Sequence, residues 1–116
     1  MSKTVLVVED NGDERTLYTT IAQHFGYEVI ETDNAQDGIR LARENKPDII
    51  LLDVHTTELN GVDVVTHLKS DAATARIPII AITDHRVAAS SVRDSGADAY
   101  LPKPVLPKAL GQASRS

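Results

Sequence analysis

The chain has no cysteine and no tryptophan, and only one phenylalanine and one methionine among its 116 residues. Without cysteine it has no disulfides, no thiolate metal site and no cysteine nucleophile, which fits a reducing compartment. Basic residues are also few. Twelve Lys and Arg stand against 17 Asp and Glu, a formal charge of −5, which argues against nucleic-acid backbone as the main partner. Long hydrophobic runs are missing too, so no segment reads as a bilayer span. No signal peptide is read in Met1-Ser2-Lys3-Thr4, so the expected compartment is the cytoplasm, with no membrane partner. With 41% apolar and 25% charged residues, the composition is that of one globular domain large enough for a core.

Short apolar bursts recur along the chain. Val5-Leu6-Val7-Val8, Ile49-Ile50-Leu51-Leu52 and Ile79-Ile80-Ala81-Ile82 are apolar at successive positions. That pattern predicts strands covered on both faces, as in a parallel sheet between helices. Glu28-Val29-Ile30 and Ala99-Tyr100-Leu101 are weaker strands. The spacers carry helical stripes: Leu17, Ile21 and Phe25; Ala35, Ile39 and Ala42; Gly61, Val65 and Leu68. Gly26, Asn45-Lys46-Pro47 and Gly96 punctuate them. A weak fourth helix over 86–95 has Ser90-Ser91 at its centre, and a short fifth starts at about 105. Strand then helix, repeated, predicts a doubly wound α/β sheet with helices on both faces. The tail 111–116 is expected to fray.

In such a sheet the strands end at one rim, where open α/β sheets bind ligands. Glu9 and Asp10 follow the first burst, Asp53 the third, Thr83 and Asp84 the fourth, and Lys103 the fifth. Crowded carboxylates cannot all stay ionised cheaply, so either one protonates or a cation enters. All-oxygen ligands favour a hard divalent ion, Mg²⁺ first, and Mg²⁺ with Lys and Thr suits a phosphoryl group. A carboxylate can itself accept that group.

The segments V-L-V-V-E-D-N, I-I-L-L-D-V with Gly61 downstream, I-I-A-I-T and Y-L-P-K-P resemble the receiver domain of bacterial two-component response regulators. The likeness runs from about residue 3 to about 108 and implies a stand-alone receiver over 1–116, similar to the chemotaxis and cell-division regulators. It implies a flavodoxin-like five-stranded parallel sheet, order 2-1-3-4-5, and the following roles. Asp53 matches the phosphoacceptor, Asp10 a direct Mg²⁺ ligand, Glu9 a ligand acting through water, and His55 a ligand through its backbone carbonyl. Thr83 matches the hydroxyl that bonds the phosphoryl group, and Lys103 the cation on it. Tyr100 matches the aromatic that turns inward on activation, and Pro104 matches the proline whose preceding bond, here Lys103–Pro104, is often cis in the family.

The function implied is a phosphorylation switch, loaded by a histidine kinase or His-phosphotransfer protein and read by a downstream protein, as a monomer or weak dimer. It catalyses its own loading and hydrolysis but turns over no metabolite. The alternative is a phosphorylation-independent docking module. Asp84, where the family prefers a very small residue, and Thr56-Thr57, where Met-Pro is commoner, keep that alternative open. Asp84 is expected to repel phosphodonors, and His55 and His85 to tune phosphate lifetime. An aspartate-nucleophile phosphatase needs a second Asp where His55 stands. A flavin carrier needs a Ser/Thr-rich phosphate cradle that the first loop lacks. His24 and His67 are expected on solvated helix faces, and no histidine spacing matches a zinc motif. Glu9 to Asp13 alone also reads as an ordinary turn and helix cap.

Overall fold

The computed structural model describes residues 3–54, 61–83 and 96–102. The expected helices over 86–95 and from 105, and the tail, lie outside them.

Five parallel strands form one sheet: β1 (Thr4–Val8), β2 (Glu28–Thr32), β3 (Ile49–Asp53), β4 (Ile79–Thr83) and β5 (Ala99–Pro102), in the order β2-β1-β3-β4-β5. This is the order the resemblance implied. The described helices are α1 (Gly12–His24), α2 (Ala35–Asn45) and α3 (Gly61–Ser70).

The three strong bursts are the central strands, and every residue of β3 and β4 is buried. Because side chains alternate along a strand, each burst feeds two cores. Val5, Val7, Ile49, Leu51, Ile80 and Ile82 pack under Tyr18, Ile21 and Ala22 of α1. Leu6, Val8, Ile50, Leu52 and Ile79 pack on Ala35 and Ala42 of α2 and on Val64, Val65 and Leu68 of α3. Each fully buried Leu or Ile contributes about 1.5–3 kcal/mol, so this two-sided burial dominates the fold.

The first helical stripe needs correction. Leu17 is 46% exposed, while its neighbour Tyr18 is 2% exposed. The core face of α1 runs through 18, 21 and 22, at i, i+3 and i+4, and Leu17 falls on its edge. Phe25 and Tyr27 pack at the margin of the same cluster. His24 and His67 are exposed, as the sequence implied.

Asparagine caps start α1 and α2. Asn11 Oδ1 accepts from the Glu14 N–H at 3.0 Å, and Asn34 Oδ1 from the Asp37 N–H at 2.8 Å. Gly26, with φ 91°, takes the chain out of α1. Gly38 lets α2 lie against β1, since a Cβ there would stand 2.9 Å from Val8 Cγ2.

One device sets two of the parallel pairings. Asp48, just before β3, accepts from the Thr4 N–H at 2.7 Å and returns its own N–H to the Thr4 carbonyl at 2.8 Å. Asp98, just before β5, does the same with Ile79, at 2.8 and 2.9 Å. Both clamps grip the start of the neighbouring strand, at the edge opposite the carboxylate rim.

Candidate functional site

The register fixes what meets at the rim. Val8 pairs with Leu52, so Glu9 emerges beside Asp53, and the Glu9 N–H donates to the Thr32 carbonyl of β2 at 3.0 Å. Asp53 pairs with Ile82, which puts Thr83 one step further along β4. Thr83 pairs with Pro102, the last residue of β5, and Lys103 follows at once. Glu9, Asp53 and Thr83 are all buried, with 1%, 2% and 4% exposure. Three buried polar side chains at the ends of apolar central strands make this rim the candidate chemical centre.

Glu9 is held on several sides. Its Oε2 accepts from the Asn11 N–H at 3.2 Å, and its backbone carbonyl accepts from Arg15 Nη1 at 2.9 Å. Its carboxyl hydrogen-bonds Asp53. Burial, then that hydrogen bond and the charge of Asp53, push its pKa from the ordinary 4.5 up to about 9. All three effects disfavour a second negative charge beside Asp53, as a crowded carboxylate rim dictates. Asp10 is exposed and also hydrogen-bonds Glu9.

One residue of the rim went unread in the sequence. Among the described residues, Glu9, Glu14 and Asp53 bring carboxylate oxygens within 4.8 Å of one another. Like charges that close repel by roughly 3–4 kcal/mol at an effective dielectric of about 20, enough to protonate one of them or to recruit a cation. The donor set is all oxygen, the chemistry of a hard divalent ion rather than of zinc or copper. Glu14 was legible in principle. Asn11 as cap puts it at the third helical position, on the turn that faces the strand ends. Asn11 caps α1, as the turn-and-cap reading of 9–13 has it, and Glu9 lies against Asp53.

Tyr100 lies half-buried on β5, paired with Ala81, and packs on Ala81 and Val54 beside the Asp53 loop. His55, Asp84, His85, Lys103 and Pro104 lie outside the described residues.

The response regulator receiver domain model matches residues 5–115. Similar proteins include the polar-differentiation response regulator DivK of Brucella anthropi, 37% identical over 107 residues, which are 90% of this chain and 87% of that protein. A DivK of Brucella ovis is 36% identical over the same length. Among solved structures, a response regulator from Chloroflexus aurantiacus matches with TM-score 0.92 at 22% identity, over 99% of this chain and 96% of that one. The receiver domain of the sensor histidine kinase PA1611 from Pseudomonas aeruginosa matches with TM-score 0.90 at 25% identity, over 99% and 96%. That structure has a magnesium ion coordinated in its active-site cleft.

Proposed function

The chain belongs to the response regulator receiver domain family of two-component signalling, and from that premise we propose that Asp53 is its phosphoacceptor in a Mg²⁺-dependent reaction. The observation that carries the reading is the buried Glu9–Asp53 pair at the strand rim, with Glu14 and Thr83 beside it. Acidic groups buried at the ends of apolar central strands are costly to ionise together, and a cation with an incoming phosphoryl group relieves that cost.

The donor is a phosphohistidine of a histidine kinase or His-phosphotransfer protein. Its P–N bond breaks, a P–O bond forms to a carboxylate oxygen of Asp53, and the departing imidazole takes up a proton. Glu9, Asp10, Asp53 and the backbone carbonyl of His55 are the residues that would hold Mg²⁺, which supplies charge neutralisation to the transferring group. Thr83 donates its hydroxyl to the phosphoryl oxygens and Lys103 supplies a movable point charge. The drawn-in Thr83 frees space for Tyr100, and a downstream protein reads the altered surface. Receiver domains are regulatory. The chemistry this one performs is its own loading and hydrolysis. No described helix is long and apolar enough to cross a membrane, and we assign the exchange to the cytoplasm.

The test is exposure to phosphoramidate with and without Mg²⁺, read by intact mass. One added phosphate, absent without the ion and absent in Asp53→Ala, is the expected result. No added mass in the presence of Mg²⁺ would leave the docking module as the better description.

A further inference from the structure

We infer that Arg15 of α1 is a positioning residue of the phosphoacceptor site, acting through the peptide that joins Glu9 to Asp10. This rests on the reading of Asp53 as the phosphoacceptor and adds to it a side chain whose hydrogen bond goes to the backbone of the rim.

The turn from β1 into α1 carries Glu9 and Asp10, and it is held from two sides. On the sheet side the Glu9 N–H donates to the Thr32 carbonyl of β2 at 3.0 Å. On the helix side Arg15 Nη1 reaches back and donates to the Glu9 carbonyl at 2.9 Å. The Arg15 backbone N–H donates to the Asn11 carbonyl, also at 2.9 Å. One residue thus grips the turn at the carbonyls of both Glu9 and Asn11. Its guanidinium lies along the turn, with Nη2 3.8 Å from where a Cβ would stand at Gly12. A peptide group is planar, so the Glu9 carbonyl and the Asp10 N–H share one plane. Fixing that oxygen fixes the direction in which Asp10 leaves the strand, and with it how Glu9 and Asp10 stand to each other. Arg15 is half-buried and the bond is partly shielded, so water competes less for the carbonyl. A guanidinium that only steered anions toward the rim would act through its charge, which salt screens. A directed bond to a carbonyl acts through geometry, and that is the bond Arg15 makes.

The experiment compares the full chain as wild type, Arg15→Met, Arg15→Ala and Arg15→Lys. Met and Ala both remove the donor at little cost in helix propensity, and either serves; Lys keeps an N–H donor and the charge. Thermal melts confirm that each variant is folded. The first readout is ¹⁵N relaxation of the metal-free protein. Without the donor, the order parameters of Asp10 and Asn11 are expected to fall from about 0.85 toward about 0.6, while those of Tyr18 and Ile21 in the same helix hold. The second is the rate of phosphoramidate labelling at saturating Mg²⁺. Arg15→Met and Arg15→Ala are expected to label about tenfold more slowly than wild type, and Arg15→Lys within about threefold of it. The deficit is expected to persist from about 0.05 to about 0.5 M salt. A role in stability alone lowers the melting temperature and moves neither readout, which overturns the inference. Slow labelling with an ordered turn, or a deficit that salt abolishes, overturns it in favour of charge steering. A loosened turn that labels at the wild-type rate overturns it as well. In each of these outcomes wild type still labels, so the phosphoacceptor reading stands. Wild type that takes up no phosphate overturns that reading and the role of Arg15 with it.

Discussion

Glu9, just past β1, shares a hydrogen bond with Asp53, the last residue of β3, and both side chains are buried. Two acids buried against each other resist carrying two negative charges at once. The predictions below follow from this pair and from the packing that holds it.

The first concerns pH. The Glu9 pKa stands at about 9 in the fold, against 4.5 ordinarily. Between those values the folded chain keeps a proton that the unfolded chain has lost, so this group's contribution is complete below the lower value and is lost as pH rises toward the upper. The slope is at most about 1.4 kcal/mol per pH unit. Urea unfolding in EDTA, from about pH 5 to about pH 8, should therefore show wild type losing stability relative to Glu9→Gln. Parallel profiles for the two proteins would contradict the shifted proton.

A second concerns the seat of α2 on β1. An added methyl at Gly38 would meet both γ-methyls of Val8, at 2.9 and 3.3 Å. Val8 is buried and β-branched, so it has little room to turn. Gly38→Ala gains roughly 1 kcal/mol of helix propensity and loses roughly 1–3 kcal/mol to overpacking. The expected net is destabilisation, measured by thermal or urea unfolding, and relief of it in Val8→Ala/Gly38→Ala. A more stable single variant would show that the approach is looser than described.

A third concerns the opposite edge of the sheet. Lys69 Nζ lies 2.7 Å from Asp98 Oδ2 and also donates to the carbonyls of Ile77 and Ala75, at 2.9 and 3.3 Å. Asp98 in turn clamps Ile79, so one ammonium ties α3 to the starts of β4 and β5. Lys69 is mostly buried, and losing charge-assisted bonds of this kind costs about 1.5–3 kcal/mol. Lys69→Met should lower unfolding stability by that order and leave phosphoramidate labelling of the folded protein unchanged. A large labelling defect in the folded variant would mean that the two edges are coupled.

The sequence made the sheet legible because its signal is local. Three bursts such as Ile49-Ile50-Leu51-Leu52 have no polar face, and a strand without a polar face must be covered twice. The rim followed, since strand ends in a parallel sheet converge, and Glu9, Asp53 and Thr83 do converge. Less legible were features set by how elements lie on one another. Leu17 and Tyr18 are both plausible core residues, and only the seating of α1 decides for Tyr18. Gly38 reads as a weak point in a helix until Val8 is seen against it. Lys69 reads as a solvated charge until the turn at Ala75 and Ile77 folds over it. Glu14 was hidden because a glutamate three residues after an asparagine cap is explained by capping alone, whereas here the Asn11 N–H goes to Glu9 and the Glu14 carboxylate lies near Glu9 and Asp53.

The central claim is that Asp53 accepts the phosphoryl group with the help of a cation held by its acidic neighbours. The most direct measurement is borohydride reduction of the chain after phosphoramidate treatment, followed by peptide mass spectrometry, which converts an acyl-phosphate aspartate to homoserine. The account predicts homoserine at position 53 in Mg²⁺ and none in EDTA. Reduction at another carboxylate, or equal reduction at 53 without the ion, would contradict it.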